Sequence, residues 1–129
     1  GALAQGPAVL AFFKVSCPTC QLAFPYLERL AKGSLRFLAI SQDDAVATRR
    51  FHDHFGITFD TALDLKTAGY PASNAFGLTN VPSLFLIEPD GKISFAAAGF
   101  AKTDFEELGR RAGIEPFTPQ DNVPAWKAG

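Results

Sequence analysis

Residues Ala8 to Val15, "AVLAFFKV", run almost directly into Cys17-Pro18-Thr19-Cys20, and these are the only two cysteines in the chain. The run has strand length, is rich in Val and Phe, and is apolar at successive positions, so it reads as a strand covered on both faces. From Pro18 onward Leu22, Tyr26, Leu27 and Leu30 recur at helical spacing, with Pro18 suited to a first helical turn and Gly33 to the stop. The cysteine pair therefore sits where a buried strand hands over to a helix. Pro25 falls inside that helix, where it removes one backbone hydrogen bond and predicts a bend, with no chemical role of its own.

The same alternation continues. "LRFLAIS", residues 35 to 41, predicts a second buried strand, and Asp43 or Asp44 can cap a helix that runs through Phe55 and stops at Gly56. "TFDTALD" predicts a short or irregular extended stretch, and residues 66 to 77 a helical segment broken at Gly69 and Pro71. "SLFLI" and "KISFAAAG" flank Glu88-Pro89-Asp90-Gly91, whose Pro and Gly placement predicts a hairpin. Thr103 and Glu106 have capping-box spacing at the start of a last helix ending near Ala112. The order β-α-β-α-(β)-α-β-β-α makes an α/β protein, with parallel pairing among the early strands and antiparallel pairing in the late hairpin. Residues 1–113 are expected to form one domain, and residues 114–129, with three prolines and little periodicity, an extended strap or a disordered end.

Composition narrows the functional classes. With 12 Lys and Arg against 13 Asp and Glu, net charge -1, no global field attracts nucleic acid or an anionic membrane. The apolar runs are far shorter than the roughly 20 residues a membrane span needs. No basic segment precedes the first apolar run, so no signal peptide is expected at this start, and the compartment, cytoplasmic or extracytoplasmic, stays open. A chain of 129 residues can bury a core without a staple. A bridge between Cys17 and Cys20 closes so small a loop that it removes little unfolded-state entropy.

Redox chemistry uses this placement better. A sulfur just before a helix faces unpaired backbone N–H groups and the positive end of the helix dipole, which lowers a thiol pKa from about 8.5. Cys17 is thereby the expected nucleophile. Cys20, three residues on and deeper, is the expected resolving thiol, able to attack a mixed disulfide from inside. Pro18 and Thr19 would set how well the N–H groups reach the thiolate; such tuning spreads potentials from roughly -270 to -120 mV. Electrons held in two sulfurs require no cofactor and no metal.

On these features the chain resembles the thioredoxin superfamily, and within it the thiol-disulfide oxidoreductases of the TlpA/ResA type, the redoxins. The resemblance covers residues 8 to about 113. It rests on the strand, the Cys17–Cys20 motif, Pro25 five residues later, and "FGLTNVPSLFLIEPDGKI", which matches that family's segment before the hairpin. It implies a three-layer sandwich, a central mixed sheet flanked by helices, and a Val81-Pro82 cis-proline pair that presents backbone to an extended substrate. "RFHDHFGITFDTALD" is similar to the helix and short strand that distinguish this type. The implied partner is a redox protein or a cysteine-bearing client. Three positions depart from the pattern: Ser16 stands where an aromatic usually precedes the first cysteine, and Ala11 and Ala23 stand where buried acids are usual.

Other features carry plainer readings. His52 and His54 lie two apart in a predicted helix and read as surface histidines rather than ligands. Lys14 reads as a strand-end lysine facing water, with electrostatic support of Cys17 as the alternative. Trp126 reads as packing or tail, with a partner-binding strap as the alternative. Two rival functions remain: a peroxiredoxin-like peroxidase, which by resemblance wants Thr or Ser where this chain has Lys14, and a copper or zinc carrier using both thiolates.

Overall fold

The computed structural model describes residues 6–129. Strands β1 (Ala8–Phe13), β2 (Arg36–Ser41), β3 (Asp60–Leu63), β4 (Ser83–Ile87) and β5 (Ile93–Ala98) form one sheet in the order β3-β2-β1-β4-β5. β1 runs parallel to β2 and β2 to β3, while β4 is antiparallel to both β1 and β5. Helices α1 (Pro18–Leu30) and α2 (Ala45–Phe55) link the parallel strands. α3 (Pro71–Ala75) precedes β4, and α4 (Lys102–Ala112) follows β5 and packs on α1.

Successive residues of the central strand show why this is a three-layer fold. Side chains alternate faces along a strand. Phe13 meets Phe24 of α1 and Phe51 of α2, with ring centroids 4.4 and 4.8 Å away. Phe12 turns the other way, to Phe76 just beyond α3 and Phe85 of β4, at 5.3 and 5.8 Å. Both rings are fully buried. β1 is therefore apolar at consecutive positions because α1 and α2 cover one face, while on the other Phe76, just beyond α3, closes over Phe12 and Leu10 stays half-buried.

β1 ends at Phe13, two residues before the apolar run does. The Phe13 carbonyl accepts from Gln42 N–H at 3.0 Å, and the Val15 N–H donates to the Asp43 carboxylate at 2.8 Å, so the chain leaves the sheet and turns toward α1. Asp44 is the helix cap: its carboxylate accepts from Ala47 N–H at 2.8 Å. The two adjacent acids thus divide the work, one capping α2 and the other holding the turn that carries the cysteines.

The expected Thr103–Glu106 capping box does not form. α4 begins at Lys102, with Ala101 as its cap residue and no side-chain capping bond. The Lys102 N–H is instead bonded at 2.9 Å by the Ala125 carbonyl, which returns from the far end of the chain. That return also fixes the last residues: Asp121 pairs with Arg29 at 2.7 Å, Phe117 stacks near Tyr26, and β7 (Trp126–Lys127) pairs antiparallel with β6 (Phe100–Ala101). Trp126 is no packing residue, because its backbone makes the contacts and its side chain is 65% exposed.

The broken helical segment is organised by Asp64, which sequence patterning does not single out. The carboxylate, buried, accepts from Ala72 N–H (2.8 Å), Ser73 N–H (2.9 Å) and the Ser73 hydroxyl (2.5 Å) at the start of α3. Burial raises its pKa, but the Ser73 hydroxyl and the two N–H groups outweigh that and hold it below its ordinary 3.8. Asp64→Ala should destabilise the fold by about 3 kcal/mol, since it strips buried donors of a charged acceptor. A depressed carboxyl contributes stability above its unfolded pKa and loses it as pH falls through the folded value. The gap between variant and parent in urea melts should therefore be full at neutral pH and shrink below about pH 4; a gap independent of pH would show that packing, not charge, is what Asp64 supplies.

Candidate active site

The handover from β1 to α1 places both cysteines. Cys17 is the cap residue of α1, in extended conformation, with Pro18 supplying the first turn. Its Sγ accepts from the Cys20 N–H at 3.2 Å, so the sulfur occupies the place a Ser or Asp oxygen takes at other helix starts. The Gln21 side chain closes the turn by donating to the Val15 carbonyl at 2.9 Å. Cys17 is half-buried and Cys20 fully buried, and both are free thiols.

The sulfurs differ in environment as well as depth. Burial, then the hydrogen bond with Cys17, push the Cys20 thiol well above its ordinary pKa; a bond with the Lys14 backbone acts in the opposite sense, and the charges of Cys17 and Asp43 add to the rise. Cys20 is thus held protonated. Asp43 brings to Cys20 a negative charge that Ala11 and Ala23 do not supply. Ala11 and Ala23 are both fully buried, and the carboxylate that Cys20 senses comes instead from the β2–α2 connection, tied to Val15. Its signal in the sequence is the doubled Asp43-Asp44, where capping needs only one.

Val81 and Pro82 arrive from the segment before β4. The Val81-Pro82 peptide bond is cis. The Val81 carbonyl accepts from the Cys17 thiol at 3.6 Å, so the two predicted halves of the site, sixty-four residues apart, meet at the Cys17 sulfur. Beside them lies a cleft of about 220 Å³ whose lining includes Lys14, Gln42, Tyr70, Ser73 and Val81. Tyr70 holds a left-handed backbone, φ 50°, which costs a bulky residue of order 1 kcal/mol or more.

Pro18 is exposed, whereas Thr19 is buried and its hydroxyl donates to the Ala128 carbonyl at 2.6 Å. His52 is half-buried and bonded to the Thr61 hydroxyl at 2.6 Å, with burial pulling its pKa down, so it is a neutral structural group; His54 is exposed. Among the described residues no three His, Cys, Asp or Glu side chains gather as a metal site, and no helix is long and apolar enough to cross a membrane.

The chain is similar in sequence and in fold to known proteins. A family profile described as the AhpC/TSA family matches residues 2–96. The thiol-disulfide oxidoreductase ResA of Geobacillus thermodenitrificans is 27% identical over 104 residues, covering 76% of this chain and 58% of that protein. The chain thus spans little more than half the length of that relative. Among solved structures, MTB dsbF superposes with a TM-score of 0.73 at 26% identity, covering 87% of this chain and 82% of the other. A thiol:disulfide interchange protein of Chlorobium tepidum superposes at 0.70 and 22% identity, covering 86% and 82%. The mixed sheet flanked by helices is a thioredoxin-like fold.

Proposed function

Since the chain belongs to the AhpC/TSA family and is a TlpA/ResA-like protein of the thioredoxin superfamily, we propose that it exchanges disulfides with a redox protein or a cysteine-bearing client through Cys17-Pro18-Thr19-Cys20. The observation that carries this reading is the contrast between the sulfurs: Cys17, half-exposed at a helix start and accepting a backbone N–H, and Cys20, buried one turn deeper. The Cys17 thiolate attacks a client disulfide, forming a mixed disulfide and expelling one client thiolate. Cys20 then loses its proton and attacks the Cys17 sulfur, expelling the second client thiolate. Two electrons pass to the client, two protons follow, and the Cys17–Cys20 pair is left oxidised; the reverse sequence delivers a disulfide. Val81, whose carbonyl already lies at the sulfur, supplies main-chain pairing to an extended client, with Pro82 holding that segment.

Equilibration in glutathione buffers, read by the mass added on alkylation, tests this. The protein should pass between a dithiol and an intramolecular disulfide with one two-electron midpoint within the range of roughly -270 to -120 mV known for this chemistry. A pair that never closes would defeat the reading. Rapid consumption of peroxide would favour the peroxidase, although Lys14 stands where that chemistry wants a hydroxyl. Copper or zinc retained through purification under reducing conditions would favour the carrier.

A further inference from the structure

The main-chain pairing site beside Cys17 already has an occupant. The segment Ala125–Gly129 crosses the front of the molecule and is held along its length. Ala125 accepts from Lys102 N–H, Trp126 and Lys127 pair with Ala101 and Phe100, and Ala128 accepts from the Thr19 hydroxyl. Gly129 comes so close to the Val81 carbonyl that any side chain there would collide with the oxygen, and the Asn80 amide lies 3.3 Å from the same point. Gly99 shows that the approach is built into the chain: a Cβ at this residue would sit 2.8 Å from the Lys127 carbonyl oxygen, and its φ of +74° suits glycine.

We propose that this strap gates the site: docked, it covers the Val81 backbone and leaves Cys17 to compact thiols and disulfides, and protein clients gain access only when residues 126–129 lift away. The inference rests on the reading of Cys17 as the exchanging thiol and deepens it by naming what the site admits. The strap is held by hydrogen bonds of modest net strength and by few apolar contacts, Trp126 being exposed. It is therefore suited to an equilibrium in which the open form is a minority. Where only the open form is competent, the apparent rate falls by its fraction.

Alkylation of Cys17 tests the gate without requiring turnover. N-ethylmaleimide and a polyethylene glycol maleimide carry the same reactive group and differ in bulk. Gly129→Val should unseat the strap from Val81, and Lys127→Pro with Gly129→Val should also remove a backbone N–H from the strand. In both variants the bulky reagent should react about tenfold faster than with the parent while the small one changes less than about twofold. Cys17→Ser is the blank. Equal rates for the bulky reagent in parent and double variant, or an equal rise for both reagents, would overturn the gate. If glutathione equilibration fails while this size discrimination holds, the oxidoreductase reading falls and the gate stands; the converse result removes the gate alone.

Discussion

Cys20→Ser should accumulate mixed disulfides through Cys17, and Cys17→Ser should trap nothing and lose exchange activity by about a thousandfold or more. The asymmetry follows from depth and from the backbone. Cys17 Sγ sits at the start of α1 with the Cys20 N–H directed at it, and is half-exposed; Cys20 is sealed behind it. Removing the inner thiol leaves the first attack intact and deletes only the second. Removing the outer thiol leaves a buried sulfur that no client disulfide can reach. Capture is checked by non-reducing gels and mass spectrometry after exposure to an oxidised client protein. If Cys17→Ser were the trapping variant, the roles of the two sulfurs would be exchanged.

Much of this site was legible because its parts are local or carry a positional signature. Ala8 to Phe13 is apolar at every position, which betrays a strand covered on both faces, and Pro18 after Cys17 marks a helix start. Val81-Pro82 is legible only through resemblance, since nothing in the spacing of 64 residues tells that the Val81 carbonyl will face Cys17. What stayed hidden depends on contacts between distant, unpatterned residues. The tail 114–129 has little periodicity, yet Arg29–Asp121, the Phe117 contacts and the β6–β7 pairing bring it back to the site. That return also sets the start of α4. Thr103 and Glu106 have the right spacing for a capping box, but Lys102 finds its acceptor on Ala125 and the helix begins one residue before Thr103. Local capping rules give way where tertiary structure supplies the acceptor.

Resolution of the mixed disulfide should be the pH-sensitive step, rising about tenfold per pH unit and so about 100-fold between about pH 6 and pH 8. The cause is the proton on Cys20. Burial first, and the hydrogen bond with Cys17 second, raise its pKa, and in the mixed disulfide the Cys17 thiol is gone while the burial and the charge of Asp43 persist. Below a raised pKa the thiolate fraction grows in proportion to hydroxide, and Ala11 and Ala23 offer no carboxylate to relay the proton. Stopped-flow release of a thiol from a preformed Cys17 adduct reads this rate directly. Asp43→Asn separates the two things an acid can do here. The amide oxygen can keep the Val15 N–H bond seen at 2.8 Å, so the turn survives while the charge goes. A charge that merely opposes ionisation of Cys20 leaves resolution faster when removed, by roughly threefold at neutral pH, with the slope of the profile unchanged. That is the expected result, because the Asp43 carboxylate is engaged by Val15 and acts on Cys20 as a charge. Slower resolution in Asp43→Asn, together with a parent profile that levels off near neutrality, would instead make Asp43 the proton acceptor that the alanines at 11 and 23 are not.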